Sequence, residues 1–191
     1  MRYDADHKQN THNAIVRDAS QRFRSDGVAA PGVASLMRDA GLTHGGFYKH
    51  FASREDLLAQ SLVEAFRDWT ARLIKTADQA PPGTAWKVLI KEYLGHDHVN
   101  HPETGCPLAA LAPELARTDP EIRKQVAGAM KNYRDALLPY MPGRRPADRE
   151  RTFYIIFSTM LGAVEMSRLL PNREVREDIL TSTRDFLLKS F

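Results

Sequence analysis

The sequence predicts an all-α protein, and three observations carry that reading. Apolar residues recur three and four positions apart in nearly every segment, and no stretch alternates apolar and polar residues as a half-buried strand would. Helix-starting residues stand where the periodic stretches begin, as in Asp119-Pro120 and at Asn172. Glycines stand where such stretches end, at Gly27 and Gly41. The 191 residues are 42% apolar and 27% charged. That is the composition of an ordinary globular protein, long enough for one large domain or two small ones.

In chain order, Asn13 to Asp26 carries Ile15, Ala19 and Phe23 at spacing four, with Arg17, Arg22 and Arg24 elsewhere. Val33 to Ala40 is a short helix with Val33, Leu36, Met37 and Ala40 inward, and Gly41 turns the chain. Thr43 is placed to cap a third short helix, His44 to His50. Ser53 and Asp56 have the spacing of a capping box and open a long helix, Arg54 to Ala77, with Leu57, Leu58, Leu62, Ala65, Phe66, Trp69 and Leu73 on one side. Ala80-Pro81-Pro82-Gly83 is the clearest break. Beyond it come helices at 86–94, 107–116, 120–140, 148–169 and 173–189, with 95–105 reading as an irregular loop. The organisation expected is an N-terminal three-helix unit over 9–69, joined by a long helix to a helical domain over 80–191.

Charge and cysteine usage narrow the classes. The net charge of +3 does not mark the N-terminal part as basic, since residues 1–70 hold nine Lys or Arg and nine Asp or Glu. Placement is what matters: from Ala40 to Arg54 there is no acid, while Lys49 and Arg54 are basic and His44 and His50 can donate hydrogen bonds. A single cysteine, Cys106, excludes an intramolecular disulfide and fits a reducing compartment. The polar start, Met1 to Asn10, does not read as a signal peptide, and Phe153 to Val164 is too short to span a membrane. A cytoplasmic protein is expected.

Three helices with a glycine turn between the last two form a helix-turn-helix. A short helix edged with Thr, Tyr, Lys and His suits the DNA major groove, its side chains reaching flanking phosphates while its N-terminus faces bases. The pattern Phe23, Gly27, Val33, Leu36, Ala40-Gly41-Leu42, Gly46-Phe47-Tyr48, His50-Phe51, Ser53-Arg54, Leu57 closely resembles the TetR family of transcriptional regulators over residues from about 10 to 70. The resemblance implies that Thr43, Tyr48, Lys49 and His50 bind phosphates from the recognition helix and that Arg54 does so from the start of the next. It implies that His44, Gly45 and Gly46 lie against bases and that Phe47 and Phe51 are core. Two glycines in a first turn cost a helix about 1 kcal/mol each, so either a bare backbone approaching DNA or close packing of Phe47 must account for them. One departure stands out: Pro31 and Gly32 replace the Thr or Ser usual in the family. Backbone N–H groups at the start of the second helix are expected to meet the phosphate instead.

The resemblance also implies a homodimer on a near-palindromic operator, because one chain offers one recognition helix and two must enter successive grooves. The apolar helix 148–169 and the amphipathic 173–189 are the expected dimer interface, with Ser158 and Gly162 permitting close approach. An effector pocket is expected between the long helix and that bundle, with Trp86, Tyr93, Cys106, Leu111, Met130, Tyr133 and Phe157 as candidate walls. The function implied is that of a one-component repressor released by a small-molecule effector.

Rival readings have thinner support. His96, Asp97, His98, His101, Glu103 and Cys106 lie within eleven residues, but their spacing matches no standard zinc pattern and a solvated polar loop is expected, with no metal or cofactor. Cys106 just before Pro107 stands at a helix N-terminus, where exposed N–H groups favour a thiolate, so a thiol-based electrophile or redox sensor is the alternative. A helical adaptor that binds protein rather than DNA is a further rival, opposed by the aromatic-basic edge Tyr48-Lys49-His50, and a small helical enzyme is the last. No nucleophile elbow, phosphate loop or metal-protease motif supports one, and no catalytic residue is assigned.

Overall fold

The computed structural model describes residues 2–191, and for residues 2–5 and His44 the backbone alone. Among the described residues every regular element is helical. They are α1 (Arg2–Asp26), α2 (Val33–Asp39), a 3-10 helix (His44–Lys49), α3 (Arg54–Asp78), α4 (Ala85–Tyr93), α5 (His96–Asn100), α6 (Pro107–Leu115), α7 (Pro120–Leu137), α8 (Pro146–Leu169) and α9 (Arg173–Ser190). Short 3-10 turns stand at Pro102–Thr104 and Leu138–Tyr140. No helix among them is long and apolar enough to cross a membrane.

Local chemistry sets most boundaries. Gly27 at φ +86° ends α1 and Gly41 at φ +71° ends α2, both in the left-handed region where a side chain is strained. The Asp119 carboxylate accepts from Glu121 N–H (2.9 Å) and Ile122 N–H (3.1 Å), and the Asn172 amide oxygen accepts from Glu174 N–H (2.8 Å). Ser53 Oγ accepts from Asp56 N–H at 3.1 Å. Asp56 reaches back to Ala52 N–H (2.9 Å), one residue before the partner a capping box would use.

Two expectations are corrected by the fold. The first helix begins at Arg2, not near Asn13. Apolar periodicity starts only at Ile15, but once Ile15, Ala19 and Phe23 are buried the helix extends backward cheaply, since propagation is far easier than nucleation. Spacing-four bonds line that extension, Gln9 Nε2 to Asn13 Oδ1 (2.9 Å) and Thr11 Oγ1 to the His7 carbonyl (3.0 Å). The second correction is 95–105, which is not a solvated loop: it forms α5 and a 3-10 turn around a buried His98.

The core is one continuous cluster. Ile15, Phe23, Leu36, Met37, Phe47, Phe51, Leu57 and Leu58 close the N-terminal helices, and the buried stripe of α3 continues through Phe66, Trp69 and Leu73 to meet α4, α6 and α7, with α8 and α9 completing the same cluster. Polar links also join the two ends. Arg24 of α1 donates to the Gly105 carbonyl (2.7 Å), and Val28 N–H donates to Glu114 of α6 (2.7 Å). The N-terminal helices are thus seated on the far half of the chain as well as on α3.

Candidate nucleic-acid interface and interior cavity

The segment between Gly41 and α3 folds as a 3-10 helix rather than an α-helix, which two glycines in six residues explain. Thr43 stands at its N-cap in extended conformation, but the hydroxyl makes no capping bond and the residue is exposed. Tyr48 is 70% exposed, set edge-on to Phe47 at 5.3 Å, and Lys49 is exposed beside it. Phe47 and Phe51 are buried, as expected of core residues. The base contact expected of the His44 side chain lies outside the described residues.

Gly45 and Gly46 decide between the two explanations offered for them. Neither has positive φ. A Cβ added at Gly45 would meet nothing within 4 Å, and one at Gly46 would meet only Met37 Cε at 3.6 Å and Thr43 Oγ1 at 3.7 Å. The fold therefore has room for alanine at both positions. Packing of Phe47 does not demand glycine there.

Of the expected phosphate ligands, Arg54 has hydrogen-bond partners within the chain and His50 is packed against neighbouring rings. The Arg54 guanidinium donates to the carbonyls of Val28 and Pro31 (3.2 Å for Pro31) and lies 5.5 Å over the Phe23 ring, which fixes the loop between α1 and α2. The His50 ring is half-buried 6.0 Å from His12, with Nδ1 buried and unpartnered. Burial, then the charges of His12, Lys8 and Lys49, lowers its pKa, so at neutral pH it offers a hydrogen bond rather than a charge. On α2 no side chain caps Gly32, and the Ser35 hydroxyl turns back to the Gly32 carbonyl (2.8 Å). Acids near this edge are also engaged: Arg22 pairs with Asp26 (2.8 Å) and with Asp39.

The second feature is a cavity of about 290 Å³ between α4, α6, α7 and α8. Tyr93, Cys106, Tyr133, Phe153 and Phe157 are buried around it, while Ala127, Met130, Lys131, Tyr154 and Ser158 are exposed at its mouth. Leu108, Arg134 and Leu161 complete the lining. Five of the seven expected wall residues are therefore there. Trp86 and Leu111 are not: Trp86 packs on Phe191 (6.4 Å) and under Lys87, and Leu111 is buried core. Phe153, Tyr154 and Leu161 went unforeseen, although their spacing in α8 marks one helical face.

Cys106 is buried at the N-cap of α6, and burial pushes its thiol up despite a hydrogen bond from Tyr93 and the nearby helix N–H groups. The expectation of a favoured thiolate is overturned by that desolvation. Next to it His98 stacks on Trp69 (4.6 Å), Nδ1 donating to the Tyr93 carbonyl (2.6 Å) and Nε2 accepting from Cys106 N–H (3.0 Å). Arg168 of α8 donates to the carbonyls of His98 (2.6 Å), Val99 (3.0 Å) and Ala109 (2.7 Å). Both imidazole nitrogens are occupied, and no group of three or more metal-ligating side chains occurs among the described residues.

No family model matches the chain, and no curated protein matches it in sequence. Solved structures do match. A TetR-family regulator from Cytophaga hutchinsonii superposes with a TM-score of 0.77 at 18% identity, covering 96% of both chains. A TetR regulator from Chloroflexus aurantiacus gives 0.74 at 23% identity, covering 99% of this chain and 98% of that one. The fold is that of the TetR-family regulators. At such identity the TetR fold does not by itself fix a function. The superantigen PfiT has it too, with a TM-score of 0.64 at 17% identity over 94% of this chain and 95% of that one.

Proposed function

We propose that this chain is a non-enzymatic, DNA-binding transcriptional repressor of the TetR type, acting in the cytoplasm as a homodimer and released from its operator by a small molecule. The observation that carries the DNA reading is the double glycine, exposed at Gly45 and half-buried at Gly46, in a segment with no steric need for it. Glycine there lets the backbone of the 3-10 helix approach base edges more closely than any side chain would. Thr43, Tyr48 and Lys49 hold phosphates on either side, and His50 adds a neutral donor. Arg54 works through the loop it fixes, which sets the angle of α2. First-turn N–H groups of α2 take the phosphate that a Thr or Ser would otherwise contact. Residues 9–69 form the DNA-reading unit and 80–191 the effector and dimer unit, a division by role that one shared core spans.

Dimerisation is supported by apolar residues with nothing to cover them in one chain. Ile155, Met166 and Leu169 are exposed along one stripe of α8, and Val175 and Phe186 along one stripe of α9. A Cβ at Gly162 would meet nothing, so a partner helix can approach there. Two copies paired through these helices present two reading edges to one near-palindromic site.

Footprinting on the promoter beside its own gene tests the reading. A protected near-palindrome whose affinity falls steeply with salt is expected. Binding without sequence preference, or none, rejects it. Two variants sharpen the test. Gly45→Ala stabilises the fold by about 0.4–1 kcal/mol, since the site accepts a side chain without strain. The same variant weakens operator binding about tenfold, because its methyl stands between backbone and base. An alanine that leaves operator affinity unchanged removes the close-approach argument. Lys49→Ala weakens binding to all sequences alike and lowers the salt slope by about one, measured by anisotropy at several salt concentrations.

A further inference from the structure

Taken as the effector site of the proposed repressor, the interior cavity is more specific about its ligand than its position requires, and the ligand class assigned to it rests on that reading. Its inner wall is aromatic and set edge to face: Tyr133 meets Phe157 at 5.4 Å and 83°, and Tyr93 meets Phe157 at 5.8 Å and 87°. Polar groups there are few. The Tyr93 hydroxyl and the Cys106 thiol hydrogen-bond one another. The Tyr133 hydroxyl is sealed behind that wall beside the Trp69 indole N–H, and neither group makes a hydrogen bond of normal geometry. An indole N–H can only donate, so the hydroxyl's own proton is left for some acceptor. Burial keeps all three cavity groups protonated at neutral pH, holding both phenols well above their usual range and the thiol above its own.

The charges at the mouth are matched. Lys131 donates to Asp135 (2.7 Å), while Arg134 donates to Asp135 (2.7 Å), Glu150 (2.9 Å) and the Tyr154 hydroxyl (2.8 Å). An anionic ligand would have to displace a carboxylate, and a cationic one would meet no carboxylate on the inner wall; burying either charge unpaired is strongly unfavourable. An apolar cavity of about 150 Å³ holds one benzene, so the roughly 290 Å³ here suits about two fused rings. We infer that the cavity takes an uncharged, aromatic molecule of one to two rings bearing a hydrogen-bond acceptor, which on binding parts the aromatic wall and receives the Tyr133 hydroxyl proton.

Isothermal titration of the full chain with three probes tests this: 2-acetylnaphthalene, naphthalene and 2-naphthoate. The ketone binds about tenfold more tightly than the hydrocarbon, as one buried neutral hydrogen bond allows, and the carboxylate binds weakest. Tyr133→Phe brings the ketone down to the level of the hydrocarbon. The inference is overturned if the carboxylate binds as well as the ketone, if ketone and hydrocarbon are equal on the unmodified chain, if Tyr133→Phe keeps the gap, or if none binds. The ranking is read on the unmodified chain first, so it stands even where the variant fails to fold. Release of operator DNA is a separate readout. Binding in the stated order with unchanged operator affinity leaves the ligand class intact and rejects the release mechanism alone.

Discussion

Replacing Phe47 with alanine abolishes operator binding and lowers global stability by about 3–5 kcal/mol, the range for deleting a fully buried ring. The magnitude reflects what else holds the reading edge. Its six residues form a 3-10 helix, whose hydrogen bonds are poorer than those of an α-helix, and two of the six are glycine. Side chains that pack it inward are few: Phe47 itself, 1% exposed, and Phe51, 2% exposed, with ring centroids 5.3 Å apart. Met37 lies beneath Gly46, and Leu36 and Phe23 complete the wall. Without the Phe47 ring the helix loses its anchor, and Thr43, Tyr48 and Lys49 no longer share a fixed geometry. Urea unfolding and operator titration on the same preparation check both parts. A loss of stability under about 1 kcal/mol would show that the edge is held by something other than this ring.

How far the sequence was legible depended on the distance over which each feature is determined. Gly27, Gly41, Asp119 and Asn172 are set by neighbours within one turn, and each does in the fold what its position in the sequence predicts. The helical stripe of α3 was equally plain, because periodicity is local. Features that failed to show depend on remote partners. His98 reads as one of several polar residues between Gly95 and Gly105, yet it is buried through Trp69, twenty-nine positions earlier, and its segment is tied down by Arg168 some seventy positions later. Arg54 carries the family's phosphate role in the sequence, while its bonds go to a loop more than twenty residues back. Trp86 and Leu111 sit on the right helices but face away from the cavity, a rotation that periodicity alone leaves open when a helix is apolar on more than one side.

The same remote contacts bring the three proposed functions of the chain into one small region. Cys106 lines the cavity, and its backbone N–H bonds His98. The His98 carbonyl bonds Arg168 on α8, the helix proposed to face the partner copy. The carbonyl of Gly105, adjacent to Cys106, accepts from Arg24 on α1 of the unit proposed to read DNA. A molecule that pushes on Cys106 therefore displaces a segment hydrogen-bonded to both ends of the protein. That gives a ligand a direct physical means of favouring one arrangement of the reading edges over another, provided it binds the two arrangements unequally.

Acid weakens the fold through His98 of this region. Burial, the largest influence, with the nearby Arg168 and Arg72 charges, holds its imidazole down to about 4 against the bond to the Tyr93 carbonyl and the Asp97 charge. In the unfolded chain the same ring titrates near 6.5. Above pH 6.5 the ring is neutral in both states and has no effect. As pH falls below that, the unfolded chain takes up a proton that the folded chain refuses, so stability declines until about pH 4, where the folded ring also protonates. The full loss is about 3 kcal/mol, most of it present by pH 4.5. The ring cannot accept the proton in place because Nε2 already accepts from Cys106 N–H and Nδ1 already donates. His98→Gln supplies a donor and an acceptor in similar positions but no titration. Urea midpoints for both proteins at pH 7.5 and 4.5 isolate the effect, since Asp97 and Asp148, whose carboxyls are held low by Arg72 and Arg145, are common to both. The parent loses about 2–3 kcal/mol more than the variant across that interval, the variant's own decline coming from groups common to both, His50 among them. Parallel declines, differing by less than about 0.5 kcal/mol, would show that the folded protein protonates His98 as readily as water does.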